Sequence, residues 1–99
     1  MNFLAGFIHH EKQELHDGNI IEIVIWEVPT SRERPHRIKY RLHYGSVEGV
    51  CYVRYDNELS KGNHKHIGDR EQPYPFESIE KLIADFKADI RAYKRGWIR

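Results

Sequence analysis

One helical stripe near the C-terminus narrows the fold more than any other feature. Ile79, Leu82, Ile83, Phe86, Ile90 and Tyr93 recur at spacings of three and four, so a helix over 78–94 would gather them on one face. Both ends carry the matching signals. Ser78 is placed to cap the first turn and Glu77 and Glu80 sit at the positive end of the helix dipole. Arg91, Lys94 and Arg95 lie at the negative end, and Gly96 offers a stop. A helix that is apolar on one side needs a surface to cover, and the residues ahead of it supply a sheet.

Residues 4–12 are extended in character, and His16-Asp17-Gly18-Asn19 then gives the backbone freedom of a tight turn. The next segment, 20–28, is dense in β-branched and aromatic residues on both alternating faces, as expected of a central strand with Trp26 in the core. Residues 29–35 have a proline at each end and polar residues between, which reads as an exposed connection. In 37–44 the alternation is clean: Ile38, Tyr40, Leu42 and Tyr44 share one side, Lys39, Arg41 and His43 the other. A turn at Gly45-Ser46 leads to a fourth strand, 47–56. Its two sides carry Val47, Cys51, Val53 and Tyr55, and Glu48, Tyr52, Arg54 and Asp56. Residues 57–75 hold two glycines, two prolines and hardly a hydrophobe, so they are expected to form one long loop, a length usually tied to function.

Short links between consecutive strands favour a meander. The fold class expected is therefore α+β: a four-stranded antiparallel β-meander with one C-terminal amphipathic helix packed on one face. The other face would carry Lys39, Arg41, His43, Tyr52 and Arg54. If the loop folds over it, Lys61, His64, Lys65, His66 and Arg70 join them.

A length of 99 residues allows one domain, 1–99, with one modest core. Lys and Arg number 16 against 15 Asp and Glu, so bulk charge gives no reason to expect nucleic-acid binding, and distribution has to decide. Cys51, the single cysteine, can form no internal disulfide and fits a reducing, cytoplasmic setting; a small core hydrophobe is its plainest role. Residues 1–8 lack the basic start and cleavage site of a signal peptide, and no run approaches the roughly 20 apolar residues of a membrane helix, so no membrane association is expected.

The segment Tyr55-Asp56-Asn57, followed by Lys61-Gly62-Asn63-His64-Lys65-His66, Gly68-Asp69-Arg70-Glu71 and Pro73-Tyr74, resembles the TumE family of bacterial toxin-antitoxin proteins. The likeness continues into Phe76 and Leu82-Ile83-Ala84-Asp85-Phe86, and more weakly back to Val24-Ile25-Trp26. It implies a toxin encoded beside an antitoxin that carries a helix-turn-helix DNA-binding domain.

The residues themselves suggest how such a toxin could act. His64 and His66 are two apart, so in an extended segment both rings project to one side. RNA cleavage without metal needs a base for the 2′-hydroxyl, an acid for the leaving oxygen and cations at phosphorus. His64 and His66 suit the proton roles, and Lys61, Arg54 and Arg70 the cations; Tyr52 or Tyr74 could stack on an unpaired base, with Arg41, Asp56 and Asn57 as further contacts. No cofactor is expected. Plainer readings stand beside these: a solvated loop rich in His and Lys, a turn begun by Asp56-Asn57, and a His-x-His metal pair with Asp56 or Asp69, for which no metal is assigned. The expectation is a metal-independent endoribonuclease toxin, with RNA and an antitoxin as partners and a homodimer left open. The alternative is a non-catalytic protein- or RNA-binding module acting through 56–74.

Overall fold

The computed structural model describes residues 6–32, 34–58 and 62–98. Six strands follow one another and pair in sequence order, all antiparallel: β1 (Gly6–Glu14), β2 (Ile20–Glu27), β3 (Ile38–Gly45), β4 (Cys51–Asp56), β5 (His64–Ile67) and β6 (Arg70–Pro73). One helix, α1 (Ile79–Lys94), closes the chain and packs against β4. The meander and its covering helix match the expectation, but the sheet has six strands rather than four.

The added pair comes from 57–75, expected to be a loop. His64-Lys65-His66-Ile67 and Arg70-Glu71-Gln72-Pro73 contain a single large aliphatic residue, so intrinsic β preference does not announce them. What makes them strands is the free edge of β4, whose unpaired backbone groups β5 satisfies, together with the turn between them. Gly68 takes φ 58° there, a left-handed conformation that glycine adopts at no steric cost. Tyr74 N–H donates to Asn63 O at 3.2 Å and closes the far end of the hairpin.

β4 also begins later than expected. Ser46 to Val50 form a turn in which Gly49 takes φ 98° and Ser46 Oγ accepts from Val50 N–H at 3.1 Å; Val47 and Val50 are exposed. Immediately after it, Tyr44 pairs with Val53 while Gly45 pairs with Cys51, leaving Tyr52 as an extra residue. Such a bulge breaks the alternation of faces. Tyr52 consequently stacks on Tyr93 of α1, ring centroids 5.2 Å apart, and lies 5.5 Å from Tyr44. Its expected place on the open face is corrected.

The core lies between sheet and helix. Ile21, Ile23 and Ile25 of β2, Tyr40, Leu42 and Tyr44 of β3, Val53 and Tyr55 of β4 and Ile67 of β5 meet Leu82, Phe86 and Ile90 of α1. Burying each of these larger side chains contributes about 1.5–3 kcal/mol. Ser78 caps the helix as expected, its Oγ accepting from Lys81 N–H at 3.1 Å, with Glu80 in the first turn and Arg91 and Lys94 in the last. Among the described residues no helix is long and apolar enough to cross a membrane.

Candidate functional site

Because the helix covers one side of the sheet, every second strand residue faces away from it. Register then fixes two rows of directly paired side chains across this open face. One runs Lys12, Glu22, His43, Arg54, His66, Glu71; the other runs His10, Val24, Arg41, Asp56, His64, Pro73. Basic, acidic and imidazole groups are therefore concentrated where β3, β4, β5 and β6 lie side by side.

His64 and His66 are brought together, ring centroids 5.0 Å apart and nearly edge to face. Their contacts assign different protonation patterns. Gly62 O can only accept, so His64 Nδ1, 3.0 Å away, carries a proton and points Nε2 toward Asp56 Oδ1 at 2.6 Å. Arg54 Nη2 can only donate, so His66 Nε2, 2.9 Å away, must accept through its lone pair. Burial and then the Arg54 guanidinium hold the His66 pKa below the ordinary histidine value, which agrees with a neutral ring.

Asp56 joins the two halves. It is buried, with Oδ2 3.1 Å from Arg54 Nε and Oδ1 beside His64. Yet neither Asp56 Oδ1 nor Arg54 Nε has a hydrogen-bond partner among the described residues, so these are close ionic contacts without aligned hydrogen bonds. Glu71 completes the group from β6, with Oε1 3.9 Å from His64 Nε2 and Oε2 4.0 Å from His66 Nε2. Exposure differs sharply within the cluster. The side chain of His64 is 5% exposed and that of Glu71 45%.

Next to the cluster the open face dips into a hollow of about 210 Å³ lined by Glu22, Val24, Trp26, Arg41 and His43. Arg41 is exposed and makes no hydrogen bond or ion pair among the described residues. Burial, with Arg41 and Arg54 adding to it, lowers the His43 pKa against the opposing pull of Glu22. Trp26, expected in the core, belongs to this face, half-buried, with Lys39 Nζ 5.3 Å from its ring centroid. Its even position in β2 gave the signal: Ile21, Ile23 and Ile25 already fill the core side.

Other expected site residues stand elsewhere. Lys65 points to the helix side, where Nζ donates to Asp89 Oδ2 at 2.9 Å beside the Tyr55 hydroxyl, itself bonded to Asp89. Arg70 pairs with Ile67 and lies with Tyr52 and Tyr93 around a separate hollow, away from the histidines. Tyr74 is buried, donates to Asp85 Oδ2 at 2.7 Å and packs on Tyr55, so its ring presents no open stacking surface. Asn57 is fully buried and works on the backbone: Oδ1 accepts from Tyr40 N–H at 3.0 Å and Nδ2 donates to Ile38 O at 2.8 Å, while its own carbonyl accepts twice from Arg34. Cys51, expected as a core hydrophobe, is only half-buried and stands outside the core; burial raises its thiol pKa while Arg54 and Arg41 pull the other way. Lys61 lies outside the described residues.

A family model described as Toxin TumE matches residues 5–94. The chain belongs to the TumE toxin family. As a TumE toxin it is expected to have an antitoxin partner, and the match spans the sheet, the cluster on its open face and the helix. No curated protein and no solved structure matches the chain.

Proposed function

We propose that this TumE toxin is an endoribonuclease that works without metal on the open face of its sheet. The observation that carries the reading is the pairing of a neutral imidazole with a guanidinium: His66 Nε2 accepts from Arg54 Nη2 at 2.9 Å on a face open to a polymer. A phosphodiester arriving at Arg54 competes with His66 for that donor. As the guanidinium turns to phosphate, the Nε2 lone pair is released next to the group it has to deprotonate. His66 then takes the proton of the 2′-hydroxyl, the 2′-oxygen attacks phosphorus, and the bond to the 5′-oxygen breaks. A cyclic phosphate remains, and the departing oxygen takes a proton from solvent.

Arg54 and Arg41 offset the charge that builds on the phosphoryl oxygens. Trp26 offers a ring at the edge of the adjoining hollow for an unpaired base. His64 is too enclosed to meet the substrate directly, and with Asp56 it acts as a positioning pair that fixes the Arg54 and His66 side chains. Asn57, by holding β3 beside Asp56, positions the same group at one further remove. The antitoxin, in this reading a protein with a DNA-binding domain, silences the toxin by covering the open face. The site of action is cytoplasmic RNA.

Purified toxin incubated with RNA, with and without a chelator, tests this. Cleavage should proceed equally in both and fall at least about 100-fold in His66→Ala, the usual scale for a lost general base. Growth arrest on expression should vanish with the same change. Arrest and RNA binding without any cleavage would refute catalysis and favour a module that acts by occupancy.

A further inference from the structure

The same cluster has the composition and layout of a divalent metal site. His64, His66 and Glu71 each offer one ligand atom, and these lie within 4.8 Å of one another, two imidazoles and one carboxylate. That donor set, with a position left over, is typical of zinc sites that are not purely structural. We propose that His64, His66 and Glu71 bind an imidazole-preferring divalent transition-metal ion, Zn²⁺ first among them. The consequence that bound zinc silences the toxin rests on the ribonuclease reading, because the ion would occupy the lone pair that His66 uses as a base.

Three further observations support the site. His64 Nδ1 donates to Gly62 O, which leaves Nε2 as the coordinating nitrogen and fixes the ring; metal-binding histidines characteristically carry such a partner on the second nitrogen. Asp56 is buried within the cluster with Oδ1 2.6 Å from the His64 nitrogen that would face the ion, so an entering ion has to take the place of that contact, and it then finds a further oxygen donor beside the histidines. Glu71, the most exposed of the three, is free to close the remaining gap. Its 3.9 and 4.0 Å separations exceed the roughly 3.3 Å between ligands around a tetrahedral zinc with bonds near 2.0–2.1 Å. A small rotation of an exposed glutamate on an edge strand spans that difference.

Arg54 opposes binding, and its opposition is informative. Its Nη2 holds the His66 Nε2 lone pair, so zinc has to displace it, and Asp56 Oδ2 at 3.1 Å from Nε stays available to retain the guanidinium. Replacing Arg54 by a neutral side chain removes both a competitor and a positive charge. Zinc should then bind more tightly, an effect that non-specific uptake by surface histidines would not produce.

The test is titration of the full chain with Zn²⁺ against a chromogenic chelator, with Co²⁺ absorption as a direct report of ligation. One equivalent should bind. Glu71→Gln, exposed and outside the core, should lose at least about tenfold in affinity, since even indirect partners of a metal ligand cost 10–100-fold. His66→Ala should do the same, and Arg54→Met should gain; thermal melts of each variant confirm that it is folded. Absence of saturable uptake, or uptake unchanged in both Glu71→Gln and His66→Ala, would overturn the site. RNA cleavage measured alongside separates the two ideas. Zinc uptake with no cleavage under any condition upholds the metal site and sinks the ribonuclease. Uptake that stimulates cleavage upholds the site and removes the metal-free mechanism.

Discussion

Replacing Asn57 by alanine distinguishes a residue that builds the site from one that touches substrate. Its side chain stands where a neighbouring strand would, accepting from Tyr40 N–H and donating to Ile38 O in a fully buried position. Alanine leaves both backbone groups without partners, and each buried orphan costs about 1–3 kcal/mol, so a loss of roughly 2–4 kcal/mol is expected if some water enters. For a domain of this size about 4–8 °C of Tm accompanies each kcal/mol, which places the fall at roughly 8–32 °C. Urea unfolding followed by tyrosine and tryptophan fluorescence gives the free energy, and a thermal melt gives the shift. The paired control is Arg41→Ala on the exposed face, expected to stay within about 0.5 kcal/mol of the parent. A loss below about 1 kcal/mol in Asn57→Ala would refute the backbone role.

Arg41→Ala should still weaken RNA binding and lower the salt dependence of that binding by about one phosphate contact, measured by titration at several salt concentrations. An unchanged slope would remove Arg41 from the proposed phosphate path. Gly68→Ala forces a Cβ onto a residue at φ 58° and should cost about 1 kcal/mol, with a further loss of RNA cleavage because the hairpin carries both histidines. Asp85 gives a pH prediction. Hydrogen bonds from Lys81 and then Tyr74 hold its carboxyl below the ordinary 3.8, so the folded state binds its proton less readily than the unfolded chain does. The resulting stability is present above pH 3.8 and is lost as pH falls through the lower folded value. Asp85→Asn should flatten that acid limb in denaturation curves taken from pH 7 to 2, and an unchanged limb would show that these bonds carry no net stability.

The helix and β3 were legible because their apolar residues repeat with the period of the element they form, and β2 because β-branched residues crowd both of its faces. Ile79, Leu82, Phe86 and Ile90 announce α1, and Tyr40, Leu42 and Tyr44 announce β3. Three features were hidden for separate reasons. The β5–β6 hairpin owes its conformation to the edge of β4 and one glycine, neither of which leaves a hydrophobic pattern in its own eight residues. Tyr52 changed sides because a single inserted residue reverses the alternation, and no composition rule marks where a bulge falls. Asn57 carried a turn-former's identity but uses its amide as a substitute strand, a role set by burial alone.

The convergence of His64, His66 and Arg54 follows from parity once β5 is a strand. His64 and His66 share a face because they are two apart, and pairing of β5 with β4 in this register sets them opposite Asp56 and Arg54. A slip of one residue would send both rings toward the helix and bring Lys65, now paired with Asp89 in that interface, onto the open face. Ile67 and Lys65 on the helix side therefore hold the register that the site depends on. Lys65→Glu, which sets two carboxylates against each other at Asp89, should reduce cleavage through the hairpin's position although it removes no group from the open face. Full activity in a variant that is folded but measurably destabilised would show that the register is held by the backbone and Ile67 alone.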